Sequence, residues 1–250
     1  MNFCDLSGRT ALVTGSSRGI GRAVGLLLAK LGARVIFHGS RESEKLASAV
    51  AEAGNGAASV AADLEKPDEV EKLAQTLSES GPAPEILVLN ASVQSYTTLA
   101  DGDGAEFSRM FRANVESSLV LLRKLVPAMR EKRFGRVIFV GSINGVRPAG
   151  RLAIYGATKA ALMNVARTAA AENASFGITV NTILPGVIDT DRNAEKLSDA
   201  AFAETLRARI PMHRFGTPED CAGIVAFLAS EDAAYITGAE IPVDGGRLLD

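Results

Sequence analysis

The sequence predicts a single-domain α/β protein: a doubly wound, parallel, seven-stranded sheet with helices on both faces. Three observations carry that prediction. Short runs rich in Val, Ile and Leu alternate with longer helical patterns from one end of the chain to the other. The runs are almost continuously apolar, as in strands covered on both faces, rather than alternating apolar with polar. The first run leads straight into a glycine-rich turn that opens a helix. Parallel neighbours need a crossover, and the crossover is usually a helix, so this rhythm implies parallel pairing throughout.

Taken in order, TALVTG is strand 1 and a helix follows over 19–31. ARVIFHG is strand 2, with a helix over 42–53, and AASVAAD is strand 3, with a helix over 67–79. EILVLNA is strand 4 and precedes a long helical stretch over 104–131, and GRVIFVGS is strand 5, with a helix over 153–175. GITVNTILPG is strand 6, and AEIPVDGG, after a helix over 217–229, is strand 7. Each run has the length of a buried strand. Residues 188–216 interrupt the rhythm after strand 6, and a long insertion in a compact domain is commonly a lid or binding loop, so substrate contacts are expected there.

The 250 residues are 47% hydrophobic and 22% charged, which suits one globular unit. A net charge of −2 offers no basic excess to neutralise a phosphate backbone, so nucleic acid is not an expected partner. Cys4 and Cys221 form no C-x-x-C pair, which argues against both a disulfide framework and a zinc site and for a reducing compartment. No metal-ligand spacing accompanies His38 or His213, which read as surface or pocket-rim residues. The N-terminal MNFCDLSGRTALVTG lacks the pattern of a secretory signal, and no stretch reaches the ~18 apolar residues of a membrane span. A cytoplasmic protein with no membrane partner is the expectation.

Strand 1 ends in Thr14-Gly15-Ser16-Ser17-Arg18-Gly19-Ile20-Gly21. Glycines here let backbone approach a pyrophosphate and let helix pack on strand, while the helix N-terminus offers unpaired N–H groups and partial positive charge. An ordinary βα turn would use the same glycines for positive φ, and the strand–turn–helix context is what favours binding. The spacing is G-x-x-x-G-x-G. Together with Asn90-Ala91 after strand 4, Ser142 after strand 5 and Tyr155-x-x-x-Lys159, TGSSRGIG resembles the short-chain dehydrogenase/reductase family, in the same order and over essentially the whole chain. That resemblance implies a Rossmann fold and a hydride-transferring oxidoreductase acting between a nicotinamide cofactor and a ketone or secondary alcohol.

Strand 2 closes with Phe37-His38-Gly39-Ser40-Arg41, so no acid stands about 20 residues after the turn, where one would bind the ribose 2′-OH of NAD. Arg18, Ser40 and Arg41 are placed to hold a 2′-phosphate, which favours NADP(H) over NAD. Solvated surface charge is the bland alternative for both arginines. The resemblance further implies contacts from Asp63 and Leu64 to the adenine. It gives Pro185, Gly186, Ile188 and Thr190 as the segment passing the nicotinamide.

On a helix, Tyr155 and Lys159 share one face. At ~4 Å and an effective dielectric near 20, an ammonium would stabilise a phenolate by about 4 kcal/mol, or roughly three pKa units. Tyr155 is therefore the candidate acid and base, with Ser142 holding the substrate oxygen. By resemblance Lys159 also binds the nicotinamide ribose, and Asn114 kinks its helix and supports a proton relay. Asn144, Gln94, Tyr96 and Arg147 are further pocket candidates. The family usually reads Asn-Ala-Gly where this chain has Asn90-Ala91-Ser92, so local geometry or affinity is expected to differ.

The helix after Tyr155 is apolar nearly all round, from Ala160 to Ala170. Such a helix expects burial on more than one side, and the family forms tetramers or dimers through it, so a homotetramer or homodimer is expected. The overall pattern looks most like 3-oxoacyl-acyl-carrier-protein reductases, with Lys132-Arg133 where a carrier-docking patch falls, although Phe176 stands where those reductases tend to have arginine. An NAD(P)-dependent sugar or polyol dehydrogenase is the alternative. A non-catalytic dinucleotide sensor on the same fold is the alternative of another class.

Overall fold

The computed structural model describes residues 3–79 and 83–249, with Lys196 described by its backbone alone. Seven strands form one parallel sheet: β1 (Thr10–Val13), β2 (Arg34–Gly39), β3 (Ala58–Ala61), β4 (Ile86–Leu89), β5 (Gly135–Val140), β6 (Ile178–Pro185) and β7 (Glu240–Val243). Their spatial order is β3-β2-β1-β4-β5-β6-β7. The chain therefore winds outward one way through β3 and then the other way from β4. That reversal opens a crevice beyond the carboxyl ends of β1 and β4, where doubly wound sheets bind ligands.

Continuous apolar sequence in these strands serves two separate cores. Ala11, Val13, Ile86, Val88, Ile138 and Val140 point to one face. There they meet α1 (Gly19–Lys30), α2 (Glu44–Ala53) and α9 (Pro218–Ala229) through residues such as Val24, Leu28, Leu46 and Val225. The intervening Leu12, Leu87, Val137 and Phe139 point to the other face. That face is covered by α3 (Pro67–Glu79), α5 (Ser117–Lys132) and α6 (Ala153–Asn173), with Leu73, Leu121, Leu125 and Leu162 inside. The period of two set by the pleat thus survives inside runs that look uniformly hydrophobic.

The expected helices form with small shifts at their ends. Helix α2 begins at Glu44 rather than 42 because the Ser43 hydroxyl accepts the Leu46 N–H and caps it. The stretch over 104–131 is not one uniform helix. It runs as α4 (Gly104–Phe111), a π-helical turn (Arg112–Glu116) and α5. The expected loop over 188–216 carries α7 (Ala194–Leu197) and α8 (Ala200–Arg207). Its base is pinched shut, because Asp189 N–H donates to the Gly216 carbonyl at 2.8 Å and Gly216 N–H to that of Val187 at 3.0 Å.

At the opposite end of the sheet from the crevice, Arg136 of β5 is only 2% exposed. Its Nε donates to the Ser230 carbonyl at 3.0 Å, Nη1 to those of Gly135 and Gly177, and Nη2 pairs with Glu231 at 3.4 Å. Replacing Arg136 with Met leaves those carbonyls without their donor, and orphaned buried acceptors cost about 1–3 kcal/mol each. Arg136→Met should therefore lower unfolding stability by about 2–4 kcal/mol in urea titrations, with little change in any ligand affinity of the distant crevice.

Candidate functional site

A cavity of about 730 Å³ fills the crevice. One end is the β1–α1 turn, which is braced from three strands. The Thr14 hydroxyl accepts the Asn90 N–H at 2.9 Å and the Ala91 N–H at 3.0 Å, and Asn90 Nδ2 donates to the Thr14 and Gly15 carbonyls. Gly15 lies at φ 63° and Gly19 at φ 56°, the left-handed region open to glycine. A Cβ on Gly21 would come within 2.5 Å of both Asn90 Nδ2 and the Gly15 carbonyl, so only glycine lets the helix sit this close.

His38 is part of that brace: it lines the cavity, but buried, and not as the surface or rim residue the sequence suggested. It is 1% exposed. Its Nδ1 accepts the Gly15 N–H at 3.1 Å, which leaves Nε2 to donate to the Ala62 carbonyl at 3.0 Å. The neutral ring thereby ties β1, β2 and the end of β3 together, and burial pushes its pKa down to about 4. Helix α1 starts without a side-chain cap, so its first N–H groups remain available beside Ser17, Gly19 and Ile20 on the cavity wall.

Gly39, Ser40, Asp63 and Leu64 also line this end, with no acid at the close of β2. Arg18 reaches the cavity, and its guanidinium lies 3.7 Å from Asp191, which also pairs with Lys45 at 2.7 Å. Arg41 does not join them. It is exposed and off the cavity wall, because β2 has ended and the chain is already turning into α2.

At the other end stand Ser142, Tyr155 and Lys159, with Asn90, Ala91, Gln94, Tyr96, Asn144 and Arg147 around them. Pro185, Gly186, Ile188 and Thr190 form the wall that follows β6. Tyr155 and Lys159 are buried on the inner face of α6. Lys159 Nζ donates to the Val140 carbonyl at 2.7 Å and lies 5.6 Å from the centre of the Tyr155 ring. The Ser142 hydroxyl accepts the Asn144 N–H at 3.1 Å. Asn114 sits behind the wall in the π-helical turn. Its Oδ1 accepts the Val93 N–H, and its Nδ2 donates to the Val93 carbonyl and to the Thr158 hydroxyl.

The electrostatics differ from the sequence expectation. Burial is the largest influence on Tyr155 and pushes its pKa up. The groups that pull it down are Arg192 and the hydroxyls of Ser142 and Ser92, with Lys159 not among them. Desolvation, followed by repulsion from Arg192, lowers Lys159 to about 7. The ammonium is itself expensive at this depth, so it cannot supply the full three-unit effect expected of an exposed pair.

Ser92 and Arg192 thus line the candidate site, where the sequence reading expected contacts from 188–216 without naming Arg192 and gave Ser92 only as a departure from the family pattern. Arg192 Nη1 donates to the Ser92 hydroxyl at 3.0 Å and Nη2 to the Ser92 carbonyl at 2.7 Å, a strap from the wall after β6 to the wall after β4. The available signals were the serine in place of glycine and an arginine two residues beyond Thr190.

A glycine-cradled helix N-terminus at one end of the crevice and a serine–tyrosine–lysine group at the other define a dinucleotide-dependent oxidoreductase. The chain belongs to the short-chain dehydrogenase/reductase family. A family model described as enoyl-(acyl carrier protein) reductase matches residues 15–247. The chain is 39% identical to the 3-oxoacyl-[acyl-carrier-protein] reductase of Vibrio cholerae, over 98% of this chain and 99% of that protein. It is also 39% identical to that of Escherichia coli, over the whole of both. Among solved structures, one from Beutenbergia cavernae, described as an NAD(P)-dependent gluconate 5-dehydrogenase with bound NADP, superposes with TM-score 0.95 at 32% identity, over 100% of both chains. A 3-oxoacyl (acyl-carrier-protein) reductase from Agrobacterium tumefaciens with NADP bound gives 0.92 at 36% identity, over 97% of this chain and 95% of that one. Among the described residues no group of three or more His, Cys, Asp and Glu is placed to hold a metal ion, and no helix is long and apolar enough to cross a membrane.

His38 gives the turn a pH dependence. The unfolded imidazole titrates near 6.5 and the native one near 4, so below 6.5 the unfolded chain binds a proton that the native state refuses. Stability is complete above pH 6.5 and falls by about 3 kcal/mol as pH drops toward 4. Urea unfolding at pH 7 and pH 4.5 should show a smaller loss for His38→Gln than for the unsubstituted protein.

Proposed function

We propose that this chain is an NADP(H)-dependent oxidoreductase that interconverts a ketone and its secondary alcohol. The carrying observation is the buried Tyr155 hydroxyl, flanked by two serine hydroxyls, in the same cavity as the uncapped start of α1. The cavity fits the cofactor. Gly15 and Gly19 line its β1–α1 turn, Gly21 lets α1 pack close behind that turn where a Cβ would strike Asn90 and the Gly15 carbonyl, Arg18 stands at the 2′-phosphate end, and no carboxylate at the end of β2 repels that phosphate.

NADPH supplies the hydride when bound. Ser17, Gly19 and Ile20 would hold its diphosphate, Arg18 and Ser40 its 2′-phosphate, Asp63 and Leu64 its adenine, and Lys159 with Asn90 its sugars. Ile188 and Thr190 would hold its carboxamide. In reduction, Tyr155 releases its proton to the carbonyl oxygen while Ser142 holds that oxygen in place. The phenolate left behind is stabilised by Arg192, Ser142 and Ser92, the groups that already lower its pKa. Asn114 fixes the wall at Val93 and the helix at Thr158, and so positions both sides of the reaction centre. The segment 188–216 forms the lid.

A 3-oxoacyl thioester is the first substrate to test, because the curated relatives are 3-oxoacyl-acyl-carrier-protein reductases. Arg130, whose guanidinium lies 4.9 Å above the Phe176 ring, joins Lys132 and Arg133 in a basic strip where a carrier would dock. A sugar acid or polyol is the second reading, favoured by the arginines on the cavity wall. The protein works in the cytoplasm, consistent with Cys4 and Cys221 being free and buried. It assembles as a homotetramer or homodimer through α4, α5 and α6, whose outer faces leave Phe107 47% and Leu119 45% exposed.

Tyr155→Phe removes the proton donor and should lower kcat for ketone reduction by about 10²–10⁴, while calorimetry with NADPH shows binding retained. NADPH binding without turnover of any ketone or alcohol by the unsubstituted protein would favour a sensor. Because burial raises the Tyr155 pKa, the phenol stays protonated through neutral pH. The reductive rate should stay level across pH 6–8 and decline only on the alkaline side, whereas alcohol oxidation, which needs the phenolate, should climb with pH.

A further inference from the structure

We propose that the substrate carries a carboxylate near its ketone and that Arg192 recognises it. This inference rests on the ketone reductase reading above. Arg192 lies on the cavity wall with Ser92, Ser142, Tyr155 and Lys159. Among the described residues its guanidinium donates to the Ser92 hydroxyl and carbonyl alone, and no carboxylate lies within ion-pair distance of it. Arg147 lines the same end, and its Nη1 donates to the Arg247 carbonyl rather than to an acid.

The carboxylates that reach the cavity are committed elsewhere. Asp63 accepts the Glu65 N–H at 3.0 Å and Glu65 pairs with Arg109 at 3.1 Å, both at the end away from Tyr155. Asp191, next to Arg192 in sequence, turns the other way and pairs with Lys45 and Arg18. Around Arg192, Arg147 and Lys159 the reacting end therefore concentrates positive charge, with no carboxylate of the described residues paired to them. Repulsion between Arg192 and Lys159 is already felt by the lysine. Like charges gathered in a partly desolvated cleft are unfavourable, and an anionic ligand relieves them.

Guanidinium suits a carboxylate because its planar donors match both oxygens at once. Ser92 holds Arg192 with two of those donors, so the side chain is ordered before the ligand arrives and loses less freedom on binding. The cofactor's diphosphate is the other anion available. Its cradle is the start of α1 at Ser17, Gly19 and Ile20, whereas Arg192 is strapped to the wall after β4 beside the Tyr155 hydroxyl. A short oxo acid or keto sugar acid fits this charge pattern. A neutral ketone or the neutral 3-oxo end of a thioester leaves it unmatched.

The test compares matched ketones under saturating NADPH: 5-oxo-D-gluconate against neutral L-sorbose, and acetoacetate against methyl acetoacetate, with a 3-oxoacyl thioester alongside. The readout is the acid-to-neutral ratio of kcat/KM. That ratio cancels any change Arg192 makes to Tyr155 or Lys159. The unsubstituted protein should prefer the acid in at least one pair by tenfold or more. Arg192→Gln should reduce that ratio at least tenfold and Arg192→Lys should keep part of it, with circular dichroism and Tm confirming that both variants fold. A ratio near one, or one unaltered by Arg192→Gln, overturns the proposal, as does turnover of the thioester alone. If Arg192→Gln instead weakens NADPH binding in calorimetry and slows acid and neutral ketones equally, the anion read is the cofactor's diphosphate and the proposal is overturned. If no ketone or thioester is reduced at all, the ketone reductase reading itself fails, which is a separate result.

Discussion

The whole crevice depends on one braced turn. The chain between β1 and α1 must expose backbone N–H groups to a ligand, which means that it cannot satisfy them with its own side chains. Its shape is held from outside instead, by Thr14 and Asn90 across the β1–β4 junction and by His38 reaching from β2. Each brace comes from a neighbouring strand end, so the turn is only as rigid as the sheet order that brings β2, β1 and β4 side by side. Gly21 then lets α1 approach closely enough for Asn90 to span the gap.

Depth is the second governing quantity, and it works against the simplest account of a tyrosine paired with a lysine. Placing both groups on the inner face of α6 gives them fixed orientation, but removing water penalises the phenolate and the ammonium alike. The net result is a neutral phenol and a lysine that titrates near 7. A phenol kept protonated is the form that reduction consumes. Lys159 is anchored by the Val140 carbonyl at the end of β5, so it also locks the reactive turn of α6 onto the sheet.

What the sequence disclosed follows from the range of the forces involved. The seven strands and the six major helical stretches were legible because buried parallel strands need local apolar runs and helices need local periodicity. The glycine turn, Asn90, Ser142, Tyr155 and Lys159 were legible because each sits where a strand ends or a helix turns, at a spacing fixed by the chain. The structure gathers Gly15 and Ser17 to Ile20 of the turn on one cavity with Asn90, Ser142, Tyr155 and Lys159, while Thr14, Ser16 and Gly21 pack behind it and Asn114 braces the wall from outside. Residues that act across the fold were not legible. His38 looked like a rim residue because nothing local reveals that Ala62 and Gly15 close over it. Arg41, expected at the 2′-phosphate, is exposed and off the cavity wall, because position after β2 says nothing about which way the chain then turns. The resemblance implied a kink at Asn114, but not its form, a π-helical turn over Arg112–Glu116 that accompanies the bonds of Asn114 to Val93 and Thr158.

The segment after β6 joins these two themes of bracing and charge. Its adjacent residues Asp191 and Arg192 extend in opposite directions, the first to Arg18 and Lys45 at the start of the crevice and the second to Ser92 at the reacting end. One short stretch of backbone is therefore tied to both ends of the cavity by polar contacts. Asp191 occupies the Arg18 and Lys45 cations, and Ser92 holds the Arg192 guanidinium in place. Exposed ion pairs such as those of Asp191 contribute little to stability, about 0–1 kcal/mol each. With its base pinched at Asp189 and Gly216, the segment has a fixed root and polar attachments at both ends of the crevice.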